Sequence, residues 1–156
     1  MQRANLSKRL AELGQRNWIV VADGAYPSLS ERGVETLATG ADAIPVLRTL
    51  LELLAQLGHV KPIPYTTTEL SRVAESDAPG TGAYRSTVEQ LFRGLRTGTA
   101  PMDSLQTKIE EASKTYRVLV IKTRMTLPYG TLFLQLEPSA WTPEAEKRLR
   151  EVMGRP

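Results

Sequence analysis

Two segments of the chain are apolar almost without interruption and rich in β-branched residues, which is typical of strands covered on both faces of a sheet. Three further segments have a weaker strand pattern. The predicted strands are residues 18–22 (WIVVA), 34–39, 60–65, 116–121 (YRVLVI) and 131–136. In the third of these, Pro62 and Pro64 cannot donate to a ladder, which favours an edge position or a loop.

Apolar residues at helical spacing alternate with these strands. The first predicted helix carries leucines on one face, begins at a capping Ser7, and is expected to end at Gly14 in the left-handed conformation. The strongest helix pattern covers residues 46–57 and lies between a capping Asp42 and Gly58. Further helices are predicted to begin at Ser86, at Asp103 or Ser104, and at Thr142.

The last helix has an apolar stripe that is most often core or a subunit contact, formed by Ala145, Leu149, Val152 and Met153. Because helices and strands alternate and two strands are wholly apolar, the pattern predicts a three-layer α/β/α fold. A chain of 156 residues with 41% hydrophobic residues suits one domain, covering residues 1–156. Residues 137–156 are predicted to form a C-terminal extension that contains the last helix.

Charge and hydropathy exclude several classes of function. The net charge is only +3, and basic and acidic residues are interspersed, so nucleic-acid binding is not expected. The most apolar segment, residues 44–57, contains Pro45, Arg48 and Glu52, which argues against a membrane span. The first ten residues lack the apolar core of a signal peptide. A cytoplasmic location is therefore the expectation.

The inventory of reactive side chains is small. There is no cysteine, which fits a reducing compartment and excludes thiol catalysis, and His59 is the single histidine, which makes a zinc site very improbable. The serines have no evident histidine partner for a catalytic triad, and no phosphate-binding glycine loop or dinucleotide fingerprint occurs. We therefore predict neither a metal nor a cofactor.

Asp23 is the first candidate for chemistry. It directly follows the apolar strand 18–22 and precedes Gly24, and open α/β sheets bind ligands where their strands end. The structural alternative is that Asp23-Gly24 is simply a turn pair. Tyr129, between Pro128 and Gly130, is open to the same two interpretations, as a ligand contact or as loop packing.

Two stretches resemble one family. The segment GQRNWIVVADGAYP is similar to the early glycine-histidine, strand, aspartate and proline segment of the ribose pyranase and fucose mutarotase family, RbsD/FucU. The segment VLVIKTRMTLPYGTLFLQL is similar to the carboxyl-terminal strand, tyrosine loop and final strand of that family. The similarity covers residues 7–136, in the same order and at similar spacing. The fold is thus expected to be RbsD-like.

The resemblance implies an isomerase that interconverts anomers, or pyranose and furanose forms, of a free monosaccharide. Such proteins are homo-oligomers, pentamers or decamers, with the site near a subunit boundary. The family aspartate falls on Asp23, and the family tyrosine falls on Tyr129. Gln15 occupies the position of the family's proton-donating histidine, and glutamine cannot exchange a proton near neutrality.

Other positions of the family pattern have changed. A second polar position of the family falls on Thr107, with Lys108 adjacent. The residues after the tyrosine are Gly130 and Thr131, and Thr131 stands in place of an asparagine. Met125 replaces a glutamate of the family. On this resemblance Asp23 and Gln15 are the candidate catalytic residues. The candidate sugar-binding residues are Asp23, Thr107, Lys108, Tyr129, Gly130 and Thr131.

Three functions follow from these observations. The first is a sugar mutarotase or pyranase with altered chemistry in carbohydrate metabolism. The second is a non-catalytic homologue, an oligomer that binds sugar or has a structural role, as the loss of the histidine suggests. The third is a phosphate- or acid-binding enzyme that uses Lys122 and Arg124, which follow the second apolar strand.

Overall fold

A computed structural model describes residues 3–154. The remaining residues of the predicted 1–156 domain, at positions 1, 2, 155 and 156, lie outside the described residues. The elements in chain order are α1 (Arg3–Ala11), β1 (Trp18–Ala22), β2 (Val34–Ala38), α2 (Ala43–Leu57), β3 (Val60–Thr67), a 3₁₀ helix (Glu69–Arg72), α3 (Thr81–Leu91), β4 (Gly98–Ala100), α4 (Met102–Ser113), β5 (Val118–Lys122), β6 (Leu132–Pro138) and α5 (Pro143–Val152).

The strands of the described chain form one mixed sheet in the order β2-β5-β1-β6-β3-β4. β1 pairs in parallel with β5, from Trp18 beside Val118 to Ala22 beside Lys122, and in an antiparallel manner with β6. Five strands therefore run in one direction and β6 runs in the other. The edge at which the five parallel strands end and β6 begins is called the carboxyl edge below.

Helices cover both faces of this sheet. Alternate residues of β1, such as Ile19 and Val21, pack in a core with α1, α2 and α3, whereas Trp18 and Val20 pack on the opposite face with α4. The apolar strands β1 and β5 are buried on both faces because each has helices above and below. The predicted three-layer α/β/α fold is confirmed.

The sequence pattern favoured an edge position or a loop for Pro62 and Pro64, and the first part of β3, which contains them, is an edge of the sheet. β3 pairs with β6 from Val60 to Tyr65, but its pairing with β4 starts only at Tyr65. Pro62 and Pro64 thus belong to a part of β3 that has a strand neighbour on one side, so their missing N–H groups cost no ladder hydrogen bond.

The predicted ends of α1 were wrong. The helix already spans Ser7, which therefore does not cap it, and it ends at Ala11. The N–H groups of Glu12 and Leu13 donate to Arg9 and Leu10, three residues back, so a tightened last turn ends the helix without glycine. Gly14 does not have a positive φ.

The single histidine has a structural contact at this helix end. His59 Nε2 donates to the carbonyl of Leu13 at 2.8 Å, which satisfies a carbonyl just beyond α1. Gly58, the residue before it, ends α2 in the left-handed conformation with a φ of 74°, as predicted.

Helix α3 begins at Thr81, five residues before the predicted Ser86, because a carboxylate outside the helix caps it. Glu75 Oε2 accepts from Gly80 N at 2.6 Å, and Glu75 Oε1 accepts from Gly82 N at 2.9 Å. The other predicted caps at Asp103 and Ser104 lie inside α4, which begins at Met102.

The Glu75 cap predicts a pH-dependent stability. The backbone N–H groups of Gly80 and Gly82 lower the pKa of Glu75 from its ordinary 4.5. Because the pKa is lower in the folded chain than in the unfolded chain, the ionised carboxylate stabilises the fold above pH 4.5, and this contribution disappears as the pH falls through the folded pKa. Glu75→Gln is therefore expected to lower Tm near neutral pH, by an amount that shrinks as the pH falls below 4.5. Scanning calorimetry at several pH values measures this difference, and a constant difference would contradict the assignment.

The predicted C-terminal extension starts inside the sheet, since β6 runs to Pro138, and its helix lies outside the core. Thr142 Oγ1 accepts from Ala145 N at 3.0 Å, and Pro143 is the first residue of α5, so the predicted start is confirmed. None of the residues of α5 is buried, and Val152 is 84% exposed. The prediction that its apolar stripe is core was wrong within the chain, because Leu149, Val152 and Met153 are exposed. A role as a subunit contact stays a prediction.

Candidate functional site

Asp23 and Thr131 meet at the carboxyl edge. Asp23 directly follows β1, and Thr131 directly precedes β6, so the antiparallel pairing of these strands brings the two residues together. The hydroxyl of Thr131 donates to Asp23 Oδ2 at 2.9 Å and accepts from Asp23 N at 3.0 Å. Thr131 is fully buried, whereas Asp23 is half-buried. The buried hydroxyl therefore fixes the orientation of a carboxylate that is still partly accessible.

The same carboxylate also forms the turn that the sequence suggested. Asp23 Oδ1 accepts from Ala25 N at 2.8 Å, an Asx turn that starts the loop after β1. The turn and the site role are compatible, since each carboxylate oxygen has two lone-pair directions and only one of each is used by these bonds. Asp23 thus keeps acceptor capacity for a ligand hydroxyl.

Tyr129 is presented to solvent by a strained loop. Its φ is 59°, which is rare for a bulky residue and persists only where the surroundings hold it, and its side chain is 43% exposed. Two buried side chains hold this loop. Thr67 Oγ1 donates to the Tyr129 carbonyl at 2.9 Å, and the Tyr84 hydroxyl donates to the Gly130 carbonyl at 2.7 Å. Burial, with a smaller effect of the Asp23 charge, raises the pKa of Tyr84, so its phenol stays a donor.

A shallow groove of about 390 Å³ lies beside Tyr129. It is lined by Thr68, Glu69, Arg72, Val73, Pro101 and Tyr129. Next to it, Met125 packs against Gly130, where an added Cβ would lie 3.0 Å from the Met125 Cε atom. The buried Met125 thus acts as a packing residue of the tyrosine loop.

Gln15 lies far from this region within one chain. It precedes β1 on the exposed connection from α1, whereas Asp23 follows β1, so the two residues are at opposite ends of the strand. A five-residue strand spans about 16 Å. The neighbouring Arg16 has a φ of 70° and donates to the Tyr116 hydroxyl at 2.9 Å, which holds this second strained turn in place.

The two candidates on α4 are also exposed. Thr107 donates its hydroxyl to the Asp103 carbonyl at 2.9 Å within the helix, and Lys108 is solvent-exposed. Leu105 and Ile109 form the buried face of α4. The structure therefore joins Asp23 to Thr131, which Tyr129 and Gly130 directly precede in the chain. Gln15 lies at the other end of β1, and Thr107 and Lys108 lie exposed on α4.

Sequence reasoning missed a partly buried hydrogen-bonded pair beside Asp23. The Tyr26 hydroxyl donates to Gln106 Oε1 at 2.8 Å, which ties the loop after β1 to α4. Burial raises the pKa of Tyr26 to about 12, so it stays protonated. These residues are 80 positions apart, and no local pattern announces their contact.

The two basic residues at the carboxyl end of β5, Lys122 and Arg124, do not form the expected anion site. Arg124 donates to both carboxylate oxygens of Asp42, at 2.8 and 3.4 Å. The Arg124 guanidinium lowers the pKa of Asp42, as expected for an ion pair. Asp42 occupies the N-cap position of α2, but its side chain does not cap the helix, so the predicted cap was wrong; the carboxylate pairs with Arg124 instead. Arg124 therefore does not present a free guanidinium beside Lys122.

Residues 3–154 contain neither a cluster of metal-binding side chains nor a helix that could span a membrane. Within this range no three His, Asp or Glu side chains are grouped so that they could hold a metal ion. Among the helices of the same residues, none has the length and apolar character needed to cross a bilayer.

The RbsD / FucU transport protein family model matches residues 2–137. No curated protein sequence matches the chain.

Three solved structures resemble the fold. They are Bacillus subtilis RbsD complexed with D-ribose (21% identity, TM-score 0.59, 88% of this chain and 94% of that chain), FucU from Bifidobacterium longum (18%, 0.59, 86% and 94%) and the fucose mutarotase from Streptococcus pneumoniae in complex with L-fucose (24%, 0.54, 85% and 91%). At these identities the likeness shows the fold, and the expected RbsD-like architecture is confirmed.

Proposed function

The chain belongs to the RbsD / FucU transport protein family, and on that premise we propose that it binds a free monosaccharide and interconverts its anomers or ring forms. One observation carries this proposal. A partly accessible carboxylate, Asp23, is oriented by the buried Thr131, two residues from the exposed ring of Tyr129. A carboxylate and an aromatic ring are the groups that suit a small polyol, because sugar hydroxyls donate to the carboxylate while C–H groups pack on the ring.

In this proposal Asp23 accepts hydrogen bonds from sugar hydroxyls and fixes the ring. Thr131 keeps the carboxylate in place, and Tyr129 and Gly130 form the wall beside the sugar. The backbone of this wall is held by Thr67 and Tyr84, so the site is preorganised before the sugar binds.

The position of Gln15 bears on the assembly. Gln15 and Asp23 lie at opposite ends of β1, so one small sugar cannot touch both residues of the same chain. If Gln15 contacts the sugar, it does so from a second copy. In that arrangement the sheet edge at which β1 of the second copy begins meets the carboxyl edge of the first copy. Such a head-to-tail contact is heterologous, and a heterologous contact generates a ring where its rotation closes. We therefore propose a homo-oligomer, a pentamer or decamer, in which Thr107 and Lys108 also reach a neighbouring site.

We further propose that the protein is cytoplasmic, as the absence of cysteine favours.

The alternative is a non-catalytic sugar-binding oligomer. It is favoured by one observation, the glutamine at position 15, which can hydrogen-bond a hydroxyl but cannot exchange its proton. In that case the chain binds sugar without accelerating the exchange of its forms.

Saturation-transfer NMR on ribose and fucose tests the proposal, since it measures anomer exchange directly. Exchange faster than in buffer is expected with the wild-type protein. Binding detected by calorimetry without faster exchange supports the non-catalytic alternative, and Gln15→His is then expected to increase the exchange rate. Absence of both binding and exchange would overturn the sugar assignment for these two sugars.

A further inference from the structure

Glu69 places a second carboxylate beside Tyr129. It is the first residue of the 3₁₀ helix that follows β3, it is half-buried, and it lines the same groove as Tyr129. No position of the family resemblance pointed to it. It was missed because its neighbours in the sequence are polar and form no motif.

One buried hydroxyl holds Glu69 and Tyr129 side by side. Thr67 Oγ1 donates to the Tyr129 carbonyl at 2.9 Å and accepts from the N–H of Leu70 at 3.1 Å, the residue after Glu69. Thr67 is 2% exposed, so water does not compete for these bonds. From the other side, Arg85 donates to the carbonyls of Leu70 and Val73, which fixes the end of the 3₁₀ helix. The short helix that carries Glu69 is therefore rigidly attached to the tyrosine loop.

Glu69 also has a structural contact, and that contact leaves acceptor capacity. Helix α4 starts after Pro101 and has no side-chain cap at its own N-cap position. Instead, the N–H of Met102 lies 3.0 Å from Glu69 Oε1 and 3.3 Å from Oε2. Both oxygens share this one donor, whereas an ionised carboxylate offers about four lone-pair sites. The remaining sites are available to a hydroxyl in the groove.

We propose that Glu69 is the proton-exchanging group of the sugar site, in the absence of an imidazole at position 15. This inference rests on the proposed function. Glu69 takes the proton of the anomeric hydroxyl while the C1–O1 bond becomes double and the electrons of the C1–O5 bond move to O5. It then delivers the same proton to O5, which gives the open-chain sugar. Reclosure on the other face of C1, by the reverse steps, gives the other anomer. No co-reactant is needed, and a carboxylate is an established type of general base.

Glu69→Gln is the decisive variant because it separates catalysis from capping. The amide oxygen still accepts from Met102 N, so α4 keeps its contact, but the amide cannot accept and return a proton. The anomer exchange rate is expected to fall by about 100-fold or more, while the sugar dissociation constant from calorimetry and the Tm stay close to those of the wild type. Glu89→Gln, the same change at an exposed position of α3, is the matched control and is expected to leave all three quantities unchanged.

A second variant keeps the test decisive if Glu69→Gln loses stability. Glu69→Ala is expected to be inactive and to regain exchange when formate is added, since a small carboxylate can enter the vacated space. Formate is expected to have no such effect on the wild type beyond its effect on free sugar. If Glu69 has only a structural role, formate does not restore anomer exchange in Glu69→Ala.

The outcomes separate this inference from the proposed function. Wild-type exchange together with undiminished exchange in Glu69→Gln overturns the role of Glu69 and leaves the mutarotase proposal intact. Failure of the wild type to accelerate exchange overturns the mutarotase proposal itself, and the role of Glu69 with it. Loss of exchange with retained binding, or rescue by formate, supports Glu69 as a catalytic residue.

Discussion

Asp23→Asn is expected to reduce anomer exchange by about 10- to 100-fold, as expected for the loss of a hydrogen bond to a charged group that is worth about 1.5–3 kcal/mol. The physical reason is the loss of negative charge, because hydrogen bonds from sugar hydroxyls to a carboxylate are about twice as strong as those to a neutral amide. The amide oxygen can still accept from Ala25 N, and the Thr131 hydroxyl can still pair with the side chain, so the turn and the fold are expected to persist.

Saturation-transfer NMR measures this effect, and circular dichroism checks the fold. Asp77→Asn is the matched control, because Asp77 is an exposed aspartate away from β1 and is expected to have no effect. Exchange in Asp23→Asn equal to that of the wild type would contradict a role for this carboxylate. The Asx turn would then be its whole contribution.

Phe133→Ala is expected to cause the largest loss of stability, about 3–5 kcal/mol of the free energy of unfolding. Phe133 is fully buried, lies in β6 between β1 and β3, and packs in the core on the α4 face of the sheet. Its truncation leaves a cavity that the central strands cannot close by local movement. Since small domains are stable by only about 5–15 kcal/mol, such a loss brings the protein close to unfolding.

Urea denaturation measures this change as a shift of the midpoint at constant slope. Val152→Ala is the matched control: Val152 is apolar but 84% exposed on α5, so a change of less than about 0.5 kcal/mol is expected. A loss at Val152 as large as that at Phe133 would contradict the exposed position of α5. It would indicate that another surface, such as a second copy, covers the stripe.

Local sequence patterns were sufficient for most of the elements. β1, β5 and α2 were predicted because their signals, apolar runs and helical spacing of leucines, depend only on neighbouring residues. The start of α3 could not be predicted in this way. Its cap comes from Glu75, which precedes the helix by a loop and accepts from the N–H groups of Gly80 and Gly82.

The candidate site was only partly predictable for the same reason. Asp23 was identified because a carboxylate directly after an apolar strand is a local feature. Its contact with Thr131 joins residues 108 positions apart, and the placement of Glu69 beside Tyr129 depends on a hydroxyl of β3. The resemblance to the family pointed to Gln15, but only the strand geometry put it at the end of β1 remote from Asp23.

The order of apolar and polar residues along the chain thus specified the three-layer fold, its buried strands and the aspartate at a strand end. Strand order and register decided which distant side chains meet, and with them the Asp23–Thr131 pair, the Glu69 groove and the exposure of α5. The reason is that backbone propensity and hydrophobic periodicity act between near neighbours. Contacts across a sheet depend instead on how all the layers pack at once.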